Sequence, residues 1–352
     1  MRLNSHTQTK QHINFVNKHT SPNSFSILKL LQRGLLGLLL TAPVFAQEQD
    51  VGTSPWGKDD EIGRLNLMTA LSRQNALQEL DPSTVYDLSV EYYIGMPSWQ
   101  AAGDPHFQMW MTHTPHGTLV DDPLSVGDSM NAHVSYTGSA FSMYAHMGTH
   151  IDALNHFGLN GKIWNHFSAD QHLGDRGWKK AGVEKIPPII ARGVLLDIPK
   201  AKGLNELAAN YRITRQDIEL TLTKQKIRLN TGDVVLIRTG RMQHYQDAAK
   251  FMNDAPGMGM DAARYLAEEH QALSIGADNL SFEAFPSESP DNYVPVHTYL
   301  LAQQGVTIIE LVNLEALARD EIYQFAFIAT PLKIRGGDAS PFRPIAIPYL
   351  KK

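Results

Sequence analysis

Short apolar runs and period-two alternation recur along residues 47–352, with helix-spaced segments between them. Strand signals fall at Val85 to Tyr92, Ile189 to Ile198, Asp233 to Thr239, Leu273 to Ala277, Val306 to Val312 and Tyr323 to Ala329. Helix signals fall at Thr69 to Leu80 and at Met260 to His270, where Ala, Leu and Glu predominate. A third begins at Thr214, where Thr214 and Asp217 have the spacing of a capped start to Ile218–Gln225. Helices alternating with strands predict an α/β fold with a mixed sheet rather than a sandwich. The stretch from Met96 to Gly138 is rich in Gly, Pro, Asp and His and shows no period. It predicts a long lid or binding loop. No repeat of 20–50 residues is visible, so residues 47–352 read as one domain.

Charge changes the picture at the N-terminus. Residues 1–46 hold Arg2, Lys10, Lys18, Lys29 and Arg33 and no acidic residue. Taking those five from the 31 Lys and Arg leaves 26 against 36 Asp and Glu, a balance of about −10. That excess of acid argues against a nucleic-acid partner. The basic leader runs into the apolar stretch Gly34 to Ala42, with Val44 and Ala46 placed for cleavage. This pattern predicts a signal peptide over 1–46 and a mature chain starting near Gln47, exported to the periplasm or beyond. An uncleaved anchor is the alternative, but the run is shorter than the roughly 20 residues a comfortable membrane span needs. There is no cysteine, so any metal must be held by nitrogen and oxygen.

Candidate chemistry concentrates in His146-Met147-Gly148-Thr149-His150-Ile151-Asp152. Gly148, Thr149 and Ile151 disfavour a helix there. In an extended chain His146, Gly148, His150 and Asp152 would share one side, with Gly148 leaving space between the ligands. Two imidazoles and a carboxylate suit a divalent ion such as Zn²⁺ or Mn²⁺, and the Asp could bridge two ions. His156 follows closely, as a further ligand or a proton carrier. Downstream, Glu310 interrupts the apolar strand Val306 to Val312, and a buried Glu needs a cation. His297 opens a helical segment thirteen residues earlier, and a helix–turn–strand hairpin could join the two. Aromatic residues near the motif (Trp99, Phe107, Trp110, Phe141, Tyr144, Phe157, Trp164) could wall a pocket or simply pack the core. His106, His113 and His116 read as solvated loop residues.

The segment His146 to Phe157, HMGTHIDALNHF, resembles the HxGTHxDxPxHF signature of the cyclase family that includes bacterial kynurenine formamidase and isatin hydrolase. The resemblance extends over nearly all of residues 47–352, through Tyr86 to Ser89, Gly232 to Gly240, His297 to Leu314 and Ser340 to Pro344. It implies a swivelling β/β/α-type single domain, often a homo-oligomer. It also implies that His146, His150 and Asp152 are metal ligands, that His297 and Glu310 complete a second metal site, and that His156 is a general acid/base. Leu154 stands where the signature has Pro, a departure that sets the chain apart from the formamidases. The expected activity is hydrolysis of an amide, ester or lactone bond in a small aromatic or cyclic molecule, with one or two divalent ions. The alternatives are a lactonase or cyclase working in the condensing direction, or an exported metal- or solute-binding protein, which has no use for His156 as an acid/base.

Overall fold

The structure, a computed structural model, describes residues 50–350; the expected leader over 1–46 lies outside the described residues. Nine strands form a mixed sheet. They are β1 (Tyr86–Asp87), β4 (His150–Asp152), β5 (Ile189–Asp197), β6 (Val234–Arg238), β7 (Ser274–Ala277), β8 (Thr307–Glu310), β9 (Gln324–Ala329), β10 (Ala339–Pro341) and β11 (Ile345–Pro348). Strands β2 (Gln108–His113) and β3 (Gly138–Ser142) form a separate antiparallel pair. The sheet order is β1-β11-β9-β5-β6-β7-β8-β4-β10. Within this sheet strands β5 to β8 are mutually parallel, and every other pairing is antiparallel.

The four parallel strands read as largely apolar runs because both faces of the sheet are covered. In β6, Val234 and Leu236 enter one core with Ile151, Ile309, Phe325 and Phe327. Val235 and Ile237 enter the opposite core with Ile275 and Ile308. Helix α3 (Arg215–Gln225) packs on that second face through Ile218. It starts where the sequence places it: the Thr214 hydroxyl accepts the Asp217 N–H, and the Asp217 carboxylate accepts the Thr214 N–H. Helix α4 (Met260–Arg264) widens into a π turn, Tyr265–Glu269. Helix α1 (Ala70–Ala76) is capped by Thr69 but ends short of Leu80.

Two expectations are corrected. The strand predicted over Val85 to Tyr92 pairs only at β1, because the Asp87 carboxylate takes the Ser89 N–H and hydroxyl and turns the chain out of the ladder. The stretch Met96 to Gly138 is not a featureless loop. It holds β2, helix α2 (Pro115–Asp121) and the start of β3. Met109, Trp110, Met111 and Phe141 of this hairpin are all exposed, so there is no buried side to imprint a period on the sequence.

A third, smaller core seats the site. Val90, Met96, Phe107, Met147, Leu280 and Leu311 pack together with Tyr245 and Phe251. Thr149 stitches its edges: its buried hydroxyl donates to the Leu311 carbonyl at 2.7 Å and accepts the Val90 N–H at 2.9 Å. Its carbonyl accepts from Tyr92 Oη and from the Phe342 N–H. Thr149→Val keeps the shape and removes both hydroxyl bonds. It should cost about 3 kcal/mol, from stranding one buried donor and one buried acceptor. Thermal unfolding of the two proteins checks this, and equal midpoints would remove Thr149 from its anchoring role.

Candidate metal centre

Strands β4 and β8 place the site. Their antiparallel register sets His150 opposite Glu310, Ile151 opposite Ile309 and Asp152 opposite Ile308. Side chains alternate across a strand, so the two isoleucines enter the core behind while His150, Asp152 and Glu310 share the other side. His150 Nδ1 donates to the Gly148 carbonyl at 2.8 Å, which leaves the lone pair of a neutral ring on Nε2. That Nε2 lies 3.4 Å from Asp152 Oδ1 and 3.4 Å from Glu310 Oε2. His297 arrives from α5 (Pro295–His297), which continues as a π turn and returns into β8. Its Nε2 lies 3.3 Å from Glu310 Oε1. The helix–turn–strand hairpin expected from the sequence is present, and Glu310 faces a different histidine with each oxygen.

His146 joins from a turn rather than a strand. Its Nδ1 is 2.8 Å from Asp152 Oδ1, and its Nε2 is 3.4 Å from Asp338 Oδ2. The extended reading of the motif therefore holds only over His150–Asp152. Gly148 does not make space between ligands. It adopts φ +59, and a Cβ there would fall 2.4 Å from Tyr92 Cζ, so the glycine admits the Tyr92 ring. His156 stacks on His146 with centroids 3.8 Å apart, and its Nδ1 is 3.9 Å from Asp338 Oδ2. All six sequence-predicted residues thus converge.

Two further residues escaped the sequence reading. Glu283 accepts from His297 Nδ1 at 2.6 Å. Like Glu310 it is a single carboxylate among apolar neighbours, and that was the available signal. Asp338 immediately precedes β10, which pairs with β4, and so reaches His146 and His156 from the far side.

Burial disfavours charge on every imidazole here, but facing carboxylates reverse the balance for some. Glu283 and Glu310 lift His297 to about 10, and Asp152 and Glu310 lift His150 to about 10. Burial would raise Asp152, yet His156, His146 and His150 hold it well below the usual carboxylate range. His156 goes the other way: burial and the neighbouring His146 push it down to about 3.

The donor set fits a divalent cation. His146 Nε2, His150 Nε2 and Asp152 Oδ2 are buried without a hydrogen-bond partner, an arrangement that is expensive unless something else engages them. Donor atoms of His146, His150 and Asp152 lie within 4.8 Å of one another, as do those of Asp152, His297 and Glu310 and those of His146, His156 and Asp338. Nitrogen and carboxylate oxygen suit Zn²⁺ or Mn²⁺.

A cavity of about 320 Å³ opens onto His146, His156, His297 and Glu310. Of the aromatic residues considered from the sequence, Trp99, Tyr144 and Phe157 line it, joined by Phe285 and Tyr293. Phe107 instead packs beneath the site, Trp110 and Phe141 are exposed, and Trp164 donates to Asp60. His106, His113 and His116 are not in its wall. A larger groove of about 770 Å³ near β1 is lined by Tyr86, Asp320 and Tyr349 and contains no histidine.

Gly148→Ala should destabilise the protein by at least about 2 kcal/mol, from the left-handed backbone and the Tyr92 clash together. In the double variant with Tyr92→Ala the clash is gone, so its cost should fall below the sum of the two single variants. Strict additivity in thermal unfolding would show that Tyr92 is not what Gly148 accommodates.

The sequence profile of the family described as Putative cyclase matches residues 86–284, more than half of the chain. Among curated proteins, the kynurenine formamidase of Sphingopyxis alaskensis is 26% identical over 266 residues, covering 75% of this chain and 97% of its own. The isatin hydrolase of Roseibium aggregatum is 25% identical over 209 residues, covering 57% of this chain and 71% of its own. A crystal structure described as a novel cyclase superposes with a TM-score of 0.74 at 28% identity, over 85% of this chain and all of the other. Isatin hydrolase A from Ralstonia solanacearum, at 21% identity and a TM-score of 0.56 over 75% of this chain and 91% of its own, shares the fold. With its signature residues gathered at one centre on a fold of this kind, the chain belongs to the Putative cyclase family.

Proposed function

We propose that this protein is a metal-dependent hydrolase that opens an amide bond, an aryl formamide or a cyclic amide, in a small flat molecule. The observation that carries the reading is the trio of unpartnered buried donors, on His146, His150 and Asp152, beside an aromatic-walled cavity. Family membership supports it, and so do the names of two relatives, a formamidase and an isatin hydrolase. His146, His150 and Asp152, with His297 and Glu310 beside them, would hold Zn²⁺ or Mn²⁺, which when bound would supply Lewis acidity and a lowered pKa for bound water. The chain does the rest. Trp99, Tyr144, Phe157 and Phe285 offer flat apolar contact that holds a ring and keeps out bulk water. His156 lines the cavity beside the cluster, where its neutral imidazole takes a proton from the attacking water and passes it to the leaving nitrogen.

Purified protein should contain one or two ions per chain and hydrolyse N-formylkynurenine, isatin or a simple lactone until chelated, with Zn²⁺ or Mn²⁺ restoring turnover. Lactone as the preferred substrate would move the reading to an ester bond, and metal without any turnover would favour a binding protein. His156→Gln should keep the metal and lose turnover by roughly 10²–10⁴-fold, the usual worth of a positioned acid/base. Unchanged turnover would remove His156 from the reaction.

The basic leader and apolar stretch of residues 1–46 support export with cleavage before Gln47. N-terminal sequencing of protein recovered from cell fractions should read Gln47 onward in an exported fraction. An intact Met1 in the cytosol would end that part of the reading.

A further inference from the structure

Glu283 is a buried carboxylate outside the family signature and outside the donor groups that could hold an ion. It follows β7 in the run Asp278 to Phe282, where Phe282 takes a positive φ, and its side chain turns inward toward α5. Oε1 accepts His297 Nδ1 at 2.6 Å and the His297 backbone N–H at 3.0 Å. Oε2 accepts the Val296 N–H at 3.2 Å. Among the described residues no Lys or Arg pairs with it, and its one ion-pair partner is His297. A buried carboxylate with no Lys or Arg beside it is costly, so its placement calls for a reason beyond packing.

The two backbone bonds have a plain reading, since a carboxylate that accepts the free N–H groups at the start of a helix steadies that helix. The third bond goes further. A carboxylate only accepts, so Nδ1 of His297 must be the donor, and the ring's remaining lone pair is confined to Nε2. That Nε2 is the atom facing Glu310. We propose that Glu283 is a positioning residue that fixes the tautomer and orientation of His297 so that Nε2 is presented to a divalent cation. This rests on the reading of His297 as part of the metal centre. Carboxylates behind ligating histidines hold rings in register and raise their basicity, and their loss costs 10–100-fold in metal affinity.

The test is calorimetric titration of chelator-stripped full-length protein with Zn²⁺ and with Mn²⁺, alongside thermal unfolding of the same samples without metal. Glu283→Gln retains one acceptor oxygen but loses the charge, and its NH2 group cannot accept a hydrogen bond. It should bind the ion near His297 about 10–100-fold more weakly than wild type while unfolding, metal-free, close to the wild-type midpoint. Glu283→Asp keeps a carboxylate for the backbone but falls short of Nδ1. It should also lose affinity, and it serves if the glutamine variant fails to fold. Either folded variant binding as tightly as wild type overturns the proposal. His297→Ala is the control: weakened binding there, with intact binding in the Glu283 variants, defeats the positioning role alone. Unaltered binding in His297→Ala as well defeats the metal reading of His297 beneath it.

Discussion

Everything at this centre depends on one antiparallel seam. The backbone bonds between β4 and β8 set His150 opposite Glu310 across segments some 160 residues apart in sequence. Alternation along both strands does the sorting. Ile151 and Ile309 fill the core behind, which fixes the register, because a slip of one residue would turn the isoleucines toward the cavity and the charges into hydrocarbon. The apolar residues thus decide where the ionisable ones point. Thr149 secures the same seam from beside it by tying the motif to Leu311 and Val90.

Much of this was legible in the sequence. The four parallel strands announce themselves as largely apolar runs, because burial on both faces favours apolar side chains. The chemistry was legible for a related reason. Histidine and aspartate crowded between apolar residues are rarely accidental, and Glu310 stands out because it is the one charged residue of β8. The helix start at Thr214 was legible because capping is local.

What could not be read has physical causes as well. The β2–β3 hairpin shows no alternation because both of its sides meet solvent. Glu283 and Asp338 come from loops whose proximity to the histidines is created by tertiary packing, and no local pattern encodes that. Gly148 was understood as a glycine but for the wrong neighbour. Sequence indicates that a Cβ is missing, whereas only the fold says whose ring fills the space. The aromatic residues divide in the same way, with some walling the cavity and others packing elsewhere, although composition alone makes them equivalent.

The place of β4 in the sheet has a consequence for how the protein acquires its ion. This strand comes early in the chain, yet both of its neighbours, β8 and β10, come late. A nascent chain that has not reached Asp338 lacks part of the acidic surround, and one that has not reached Thr307–Glu310 has no seam at all. An ion can therefore meet the complete donor set only after the segment from Thr307 onward has joined β4.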